Sequence, residues 1–268
     1  MNLLIDIGNS RIKWCLYNSV ENEFVSEGAM LHDKAELPAL FSEQWGLLDN
    51  PDRVVISNVS GQQLAESMDA WVDKKWQMKS EYVKTEAFSH GVSNAYSDYQ
   101  ELGVDRWMAM IAAWQRFRKE GKAVCVVDCG TATTIDGISA SGQHLGGYII
   151  PGYSVMQEML INNTSDIKMG KNILTRKILR KETSPGKTVS SINFSSSTEE
   201  GVNSGCYLAT ISVIDSVVTS MQDDFGKQVN CIITGGHAEL VVEQLAGNFE
   251  HEPKLVLHGL AMLSGKVQ

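Results

Sequence analysis

One pattern occurs twice in the chain and constrains its fold more than any other feature. Residues 2–17 and 124–138 each read as an apolar strand, an Asp-x-Gly turn and a second strand. The two aspartates, Asp6 and Asp128, are separated by almost half of the 268-residue chain. We interpret the pattern as an internal repeat that opens two similar halves. Coincidence is the alternative, since aspartate and glycine are common in turns.

The segments around the first copy predict alternating strands and helices. Ile12, Trp14 and Leu16 alternate with polar residues after the turn, which predicts a strand with one buried face. Residues 53–57 predict a short buried strand, and helices are expected on either side of it, at 35–46 and 62–75. This alternation indicates an α/β fold.

A third helix is predicted after Asp105, where apolar residues recur at steps of three and four up to Phe117. Trp107 and Trp114 lie on its apolar face. We therefore interpret both tryptophans as core residues and not as part of a cofactor site.

Composition excludes several classes of function. The net charge of -9 and the pI near 5.2 disfavour general binding of nucleic acid or of an anionic membrane, because both are bound through clustered Lys and Arg. No signal peptide or membrane span is expected, because Asp6 interrupts the N-terminal apolar run. Five scattered cysteines favour reduced thiols and a cytoplasmic location. Cys125 and Cys129 are spaced like a metal pair but lack a second pair, which disfavours zinc.

The aspartate beside each glycine turn indicates phosphate chemistry. An unpaired carboxylate at the end of a buried strand is costly unless it serves a ligand. A turn of small residues exposes backbone N–H groups to phosphate oxygens, and the carboxylate can hold the cation that neutralises them. Two such turns facing each other would clamp a nucleoside triphosphate.

Several strings resemble the type III pantothenate kinases, members of the superfamily of acetate kinase, sugar kinases, Hsp70 and actin. They are DIGNSRIK, LGVDRW, DCGTATTID and GGYIIPG, followed by STEEGVNSG and ITGG. The resemblance implies an actin-like fold of two ribonuclease H-like halves, each a mixed sheet with flanking helices. Residues 1–118 would carry the first phosphate loop and the pantothenate site. Residues 119–268 would carry the second phosphate loop and the adenosine region.

The resemblance also implies an activity, the phosphorylation of pantothenate by ATP to 4'-phosphopantothenate, which is the first step of coenzyme A biosynthesis. It implies ATP with Mg²⁺, a monovalent cation (K⁺ or NH₄⁺), and a homodimer. Asp105 would be the catalytic proton acceptor. The implied ATP-binding residues are Asp6, Ile7, Gly8, Asn9, Ser10, Arg11, Ile12, Lys13, Thr131, Gly235 and Gly236. The implied pantothenate-binding residues are Tyr96, Gly103, Val104, Asp105, Arg106 and Thr198, and the implied metal ligands are Asp128 and Asp6.

The residues themselves leave alternatives open for some of these roles. Lys13 suits phosphate as a mobile point charge, or is a solvated strand lysine. Asp105 begins a helix, where the helix dipole favours its ionised form, and on spacing alone it is an N-cap. Arg106 has a planar fork that suits a substrate carboxylate, or it contacts a protein partner on the surface.

The second half contains further candidates. Ser197 and Glu200 match a capping box, which places Thr198 at a helix start as a ligand contact or a simple capping residue. The helix is expected to bury a stripe of apolar residues, namely Val202, Cys206, Ala209, Val213 and Val217. Gly235 and Gly236 would let an adenosine ring approach the backbone, or form an ordinary turn after the strand. His237 is interpreted as structural.

Two positions depart from the usual pattern of the family. Ser10 stands where threonine is common and keeps the hydroxyl, and Tyr99 stands where many members have proline. The polar, lysine-rich segment 162–195 is expected to be mobile.

Two other functions remain open. A small sugar kinase of the same superfamily would keep both phosphate turns but would not need GVDR together with Tyr96. A non-catalytic regulatory or accessory protein of the same fold would be favoured by the loss of Asp6, Asp105 or Asp128, and the chain has all three.

Overall fold

The computed structural model describes residues 1–32, 36–165, 167, 194–226 and 228–265. Within them the chain divides into two compact units. Unit 1 comprises residues 1–116 together with the C-terminal residues from 254 onwards, and unit 2 comprises residues 117–253.

Unit 1 is built on a mixed sheet whose described strands follow the order β3-β2-β1-β4-β5. The strands are β1 (Asn2–Ile7), β2 (Arg11–Asn18), β3 (Glu23–Leu31), β4 (Arg53–Asn58) and β5 (Ser80–Tyr82). β2 runs antiparallel to β1, whereas β4 runs parallel to it. A short hairpin of β6 (Phe88–Ser89) and β7 (Val92–Ser93) follows.

Unit 2 repeats this topology. Its described strands follow the order β10-β9-β8-β11-β12. They are β8 (Val124–Cys129), β9 (Ala132–Ile138), β10 (His144–Pro151), β11 (Asn230–Thr234) and β12 (Phe249–His251). β9 is antiparallel and β11 is parallel to the central β8, as β2 and β4 are to β1. The predicted repeat of two similar α/β halves is therefore confirmed.

The described helices lie between the strands as the alternating pattern predicts. They are α1 (Leu37–Trp45), α2 (Gln62–Trp76), α3 (Val104–Phe117), α4 (Tyr153–Asn163), α5 (Thr198–Phe225), α6 (Ala238–Val241) and α7 (Leu255–Ser264). Single 3₁₀ turns occur at Tyr99–Glu101, Arg118–Glu120 and Val242–Gln244.

Alternation along the central strand sorts its side chains between two faces of the first sheet. Leu3, Ile5 and Ile7 of β1 pack into one core with α1 and α2. Aromatic residues fill this core, and Trp45 stacks on Phe41 with ring centroids 5.4 Å apart. The even-numbered residues of β1, Asp6 among them, therefore lie on the opposite face. The predicted buried face of β2 is confirmed, since its alternate residues pack into the same core.

The C-terminal helix α7 packs on unit 1. The Ser264 carbonyl accepts hydrogen bonds from Asn2 Nδ2 (3.4 Å) and Arg53 Nη1 (2.8 Å). A Cβ atom at Gly259 would lie 2.3 Å from the Met108 carbonyl oxygen, so α7 and α3 approach each other closely. The second half that was predicted from the sequence, 119–268, includes this helix. The chain instead returns to unit 1 after β12, a long-range contact that no local pattern indicates.

The buried stripe of α5 differs from the predicted one. Val202 and Cys206 are buried as expected, but Ala209 is exposed and Val213 and Val217 are partly exposed. The buried residues beyond Cys206 are Thr210, Ile211, Ile214, Val218 and Met221. Two adjacent stripes on this helix are apolar. Packing against the second sheet buries the stripe with Ile211, Ile214 and Val218, and not the predicted stripe with Ala209, Val213 and Val217.

Helix α5 is also, by length and composition, apolar enough to cross a membrane. Ile211, Ile214 and Val218 on it pack into the core of unit 2 with β8 and β11. Of the segment 162–195, which was expected to be mobile, residues 166 and 168–193 lie outside the described residues.

Candidate functional site

The first phosphate loop, residues 6–13, is a tight hairpin at the end of β1. Gly8 N–H donates to the Arg11 carbonyl at 2.9 Å, which closes the turn between β1 and β2. Asp6 lies directly opposite Lys13 in the antiparallel pair and beside Ser57 in the parallel pair. Residues paired across a sheet share a face, so a carboxylate and an ammonium stand side by side at the mouth of the turn.

The side chains of the first phosphate loop fall into two groups. Ile7 and Ile12 are fully buried in the core of unit 1, so only their backbone atoms could reach a ligand. Asn9, Ser10 and Arg11 are exposed. The loop therefore offers a ligand backbone groups and polar side chains above an apolar base.

His32, which the sequence analysis did not single out, holds this loop in place. Its ring Nε2 lies 2.9 Å from the Gly8 carbonyl oxygen, and its backbone N–H donates to the Ser10 carbonyl at 3.3 Å. His32 follows β3, and the antiparallel pairing of β3 with β2 brings it back to the turn. A lone histidine after a strand carries no signal in the sequence that could have indicated this contact.

The second phosphate loop, residues 128–131, has the same construction. Gly130 N–H donates to the Ala132 carbonyl at 3.0 Å and closes the turn between β8 and β9. Asp128 is paired with Thr134 on one side and Thr234 on the other. Thr131 is exposed at the tip of the turn. The structure thus places both aspartates at equivalent positions of the two sheets.

Two further glycines lie against the second phosphate loop. A Cβ atom at Gly152 would lie 2.3 Å from the Gly130 carbonyl oxygen and 2.5 Å from that of Thr131. Gly235 has φ +100°, and a Cβ atom there would lie 2.5 Å from Asp128 Oδ1 and from the Cys129 carbonyl oxygen. No side chain fits at either position, so the backbone of two further segments lies against the second phosphate loop, and the one at Gly235 reaches Asp128.

The segment after Gly235 and Gly236 is tied to the same place. His237 N–H donates to the Cys129 carbonyl at 3.0 Å, and its ring Nε2 lies 3.0 Å from Ser154 Oγ at the start of α4. These contacts agree with the structural interpretation of His237. They link the GG turn after β11 to the N-terminus of α4. Both segments therefore lie beside the second phosphate loop.

The GVDR run lies at the start of α3. Asp105 stands in the first turn of the helix and not before it, so it is not the N-cap. Its Oδ1 accepts a hydrogen bond from the Arg106 N–H at 2.7 Å. A Cβ atom at Gly103 would lie 2.6 Å from that Oδ1, which explains why glycine precedes the pair.

Arg106 and Tyr96, both predicted to hold pantothenate, contact each other. Arg106 Nη1 donates to the Tyr96 hydroxyl at 3.1 Å, and the guanidinium carbon lies 5.8 Å from the ring centre. Arg106 is only 7 % exposed. A surface protein contact is therefore not its role, and a buried guanidinium suits an anion that enters from one side.

A cavity of about 950 Å³ in unit 1 adjoins this run. Its walls include Asn58 and Val59, which follow β4, and Leu102, Gly103 and Val104. This volume lies in the range of small-molecule sites. The cavity therefore extends from the end of β4, where Asn58 pairs with Ile7 of the first phosphate loop, to the GVDR run.

Thr198 is the first residue of α5 and is exposed. Ser197 Oγ caps the helix by accepting from Glu200 N–H at 3.2 Å, which confirms this half of the predicted capping box. The Glu200 carboxylate accepts from Ser196 N–H at 3.4 Å instead of from Ser197. Since Ser197 is the cap, Thr198 is not needed for that purpose.

The donor set determines which metals the described residues suit. Among them, no group of three or more His, Cys, Asp or Glu side chains could hold a metal ion. Asp6 and Asp128 each offer a single carboxylate beside a phosphate loop. Mg²⁺ is commonly bound by one or two carboxylates together with water and substrate phosphates, so this donor set fits it.

Cys125 and Cys129 both lie in the core of unit 2. Burial raises the pKa of the Cys129 thiol to about 12, which disfavours the thiolate that a metal would require.

Sequence comparison identifies relatives along nearly the whole chain. The profile of the type III pantothenate kinase family matches residues 2–220. A type III pantothenate kinase of Nitrosococcus oceani is 34% identical, covering 98% of this chain and 94% of that protein. The enzyme of the same name from Paraburkholderia phytofirmans is 32% identical, covering 99% and 95%.

Structure comparison supports the fold. A protein named as a Baf family transcriptional activator from Campylobacter jejuni has a TM-score of 0.58 at 19% identity, covering 97% of this chain and 96% of that chain. The activator of 2-hydroxyisocaproyl-CoA dehydratase from Clostridium difficile, solved with ADPNP, has a TM-score of 0.53 at 12% identity, covering 98% and 93%. Together with the duplicated sheets, these likenesses establish the actin-like fold that the sequence predicts. The match over residues 2–220 and the identity to full-length relatives show that the chain belongs to the type III pantothenate kinase family.

Proposed function

We propose that this protein transfers the γ-phosphoryl group of ATP to the hydroxyl of pantothenate and forms 4'-phosphopantothenate, the first step of coenzyme A biosynthesis. One observation carries the proposal. Aspartate–glycine hairpins occupy equivalent positions in two sheets of identical topology, and the GVDR run lies beside a cavity of ligand size. Membership of the family supports the reaction, and the two hairpins and the cavity support these residues as the site.

ATP is bound by the two phosphate loops. In unit 1, residues 6–13 present backbone groups and Lys13 to phosphate oxygens. In unit 2, Thr131 does so at the second turn. The GG turn at Gly235 and Gly236 receives the adenosine, as the family membership implies, and the missing side chain at Gly235 lets this turn lie against Asp128 and Cys129 of the second phosphate loop. Phosphoryl transfer depends mainly on such positioning and on stabilisation of charge.

Cations complete the site. Bound Mg²⁺ neutralises charge on the phosphate oxygens, and Asp6 is placed to hold it or its water ligands. Asp128 holds the monovalent cation, K⁺ or NH₄⁺. Its Oδ1 would lie 2.5 Å from a Cβ atom at Gly235, and this carboxylate oxygen would supply one ligand to the cation.

Asp105 accepts the proton of the substrate hydroxyl. The hydroxyl oxygen forms a bond to the γ-phosphorus as the bond between that phosphorus and the leaving ADP oxygen breaks, and the proton passes to the Asp105 carboxylate. The hydrogen bond from Arg106 N–H occupies Oδ1 and fixes the orientation of the group. In a loose transition state the proton leaves late, so a weak base is sufficient.

Pantothenate is bound by the residues around the same helix start. The buried Arg106 guanidinium, held by Tyr96, pairs with the substrate carboxylate. Gly103 and Val104 form the wall of the cavity, and Thr198 contributes from the start of α5. Glycine at 103 also leaves the space that Asp105 needs.

The protein is proposed to be a cytoplasmic homodimer. An apolar groove in unit 2 supports self-association. It is lined by α4 and α5, with Met156, Met159 and Leu160 opposite Gly201 and Gly205. Met159 is 54% exposed, and apolar surface of this kind is typical of an interface. Analytical ultracentrifugation at micromolar concentration is expected to give a dimer, and a monomer there would oppose the proposal.

ADP release by purified protein with pantothenate, with and without potassium, tests the function. A panel of sugars serves as alternative acceptors. Pantothenate-dependent release that requires potassium is the expected result. Turnover with a sugar alone would indicate a sugar kinase, and nucleotide binding without any turnover would indicate a regulatory protein.

A further inference from the structure

Ser57 and Thr234 occupy the same position in the two units. Ser57 lies on β4, paired with Asp6 of the central strand β1. Thr234 lies on β11, paired with Asp128 of the central strand β8. Both pairs are parallel and in register at the end of the strands that leads into a phosphate loop. The repeat thus places a hydroxyl beside each aspartate.

Both hydroxyls are deeply buried. Ser57 is 0% and Thr234 is 1% exposed. Neither Ser57 Oγ nor Thr234 Oγ1 has a hydrogen-bond partner among the residues that the structure describes. A buried polar group without a partner is unfavourable, and most buried side-chain polar atoms in native proteins have one. Alanine or valine would fill these strand positions without that cost.

Each hydroxyl has an aspartate as its partner on the central strand of the sheet. Neighbouring strands lie about 4.8 Å apart, and in-register side chains on one face are neighbours. The residues of β1 and β4 that face the aromatic core of unit 1 are the flanking ones, such as Ile5, Ile7 and Ile56. Asp6 and Ser57 therefore share the opposite face. In unit 2, Val127 and Ile233 face the core, so Asp128 and Thr234 likewise share the opposite face.

We infer that Ser57 and Thr234 are paired positioning residues for the proposed kinase reaction. When nucleotide is bound, each hydroxyl donates a hydrogen bond to the carboxylate of its neighbouring aspartate or to a water ligand of the cation proposed there, which is Mg²⁺ at Asp6 and K⁺ or NH₄⁺ at Asp128. Forming this contact requires no existing hydrogen bond of the hydroxyl to be broken. The inference rests on the proposed function, since it concerns the same two aspartates.

Ser57 and Thr234 differ from ordinary buried hydroxyl residues in what the loss of the hydroxyl should do to stability. Removing a hydroxyl that has a partner lowers stability, whereas removing one that lacks a partner leaves the unliganded protein as stable or more stable. Removal of Ser57 Oγ or Thr234 Oγ1 should instead weaken ligand binding, because the proposed hydrogen bond forms only when the ligand is bound. A stability measurement and a binding measurement should therefore change in different directions.

The test uses Thr234→Val and Ser57→Ala in the full chain, with Thr234→Ser as the conservative variant. The matched controls are Thr210→Val and Ser264→Ala. Thr210 is as deeply buried as Thr234, but its hydroxyl donates to the Cys206 carbonyl at 2.9 Å. Ser264 is buried, and its hydroxyl donates to the Ala261 carbonyl at 3.0 Å.

Two quantities are measured for each variant: the Tm without ligand, and the Kd for adenosine 5'-(β,γ-imido)triphosphate with and without Mg²⁺ and with and without K⁺ by calorimetry. Both Ser57→Ala and Thr234→Val are expected to keep or raise the Tm. Ser57→Ala should weaken Mg²⁺-dependent binding and Thr234→Val should weaken K⁺-dependent binding, each about tenfold, as for loss of a hydrogen bond to a charged group. Thr234→Ser should bind as the unmodified protein does. The controls should lose Tm and keep their Kd.

Two results would overturn the inference. One is a Kd within twofold of the unmodified protein for both Thr234→Val and Ser57→Ala. The other is a fall in Tm like that of the controls without a change in the effect of Mg²⁺ for Ser57→Ala or of K⁺ for Thr234→Val, which would show a structural role. If the unmodified protein itself fails to bind nucleotide, the proposed function fails as well, so the two failures are distinguishable.

Discussion

Replacing Asp105 by asparagine isolates the proton-accepting role of this side chain. Asparagine keeps the size of aspartate and a carbonyl oxygen that can accept the hydrogen bond from Arg106 N–H, which is 2.7 Å long in the structure. The close approach to Gly103 is also kept. The substitution therefore removes the charge and the basicity while the start of α3 is expected to remain folded.

The size of the effect follows from the role. General acid–base catalysis by a positioned side chain contributes about 10²–10⁴-fold to the rate. We therefore expect kcat to fall by two to four orders of magnitude, equivalent to about 3–5 kcal/mol of transition-state stabilisation. Nucleotide affinity should be unchanged, because Asp105 acts on the substrate hydroxyl. The assay is pantothenate-dependent ADP release, together with calorimetry of nucleotide binding.

Asp98→Asn is the matched control. Asp98 Oδ1 accepts a hydrogen bond from Gln100 N–H at 3.0 Å, a local contact of the same kind, and the residue is exposed. This variant should keep full turnover. An Asp105→Asn enzyme with unchanged kcat would remove Asp105 from the mechanism, and equal losses in both variants would indicate a general effect on this region.

Three further predictions concern unit 2. Asp128→Ala should weaken the stimulation of turnover by potassium or ammonium, and equal stimulation of both proteins would contradict a cation role for Asp128. Gly235→Ala and Gly146→Ala introduce the same backbone strain at φ +100° and +102°, but only Gly235 also meets backbone atoms within 3 Å. Chemical denaturation should show a loss of about 1–3 kcal/mol for Gly146→Ala and a larger loss for Gly235→Ala; equal losses would refute the steric argument. Burial raises the pKa of Cys129 from 9.0 to about 12, so the folded protein keeps a proton that the unfolded chain loses, and stability should fall as pH rises above 9. The slope contributed by this thiol is at most about 1.4 kcal/mol per pH unit, and an unaltered slope in Cys129→Ala would contradict it.

Much of the fold was predictable because its signals are local. The alternation of Ile12, Trp14 and Leu16 and the glycine turn before them lie within one hairpin, and the structure has that hairpin. The same holds for β4, for α1 to α3 and for the buried tryptophans of α3. The repeat itself was visible because both copies carry the same residues at the same spacing.

Other features could not be predicted from local patterns. The apolar residues of α5 allow two neighbouring stripes, and only the packing of β8 and β11 selects one. The closeness of Gly152 to the second phosphate loop depends on where β10 ends. The contact of His32 with Gly8 depends on the pairing of β3, and a sequence without an alignment carries no trace of either contact.

The sequence by itself determined the duplicated aspartate–glycine hairpins, the alternating α/β pattern and the resemblance to pantothenate kinases, because each depends on residues close together in the chain. Only the tertiary structure decided that the C-terminal helix packs on unit 1, that Gly235 lies against Asp128, and that Ser57 and Thr234 stand beside the two aspartates. These contacts join residues far apart in the chain. Parallel pairing of strands brings them together, and such pairing is set by the packing of the whole sheet.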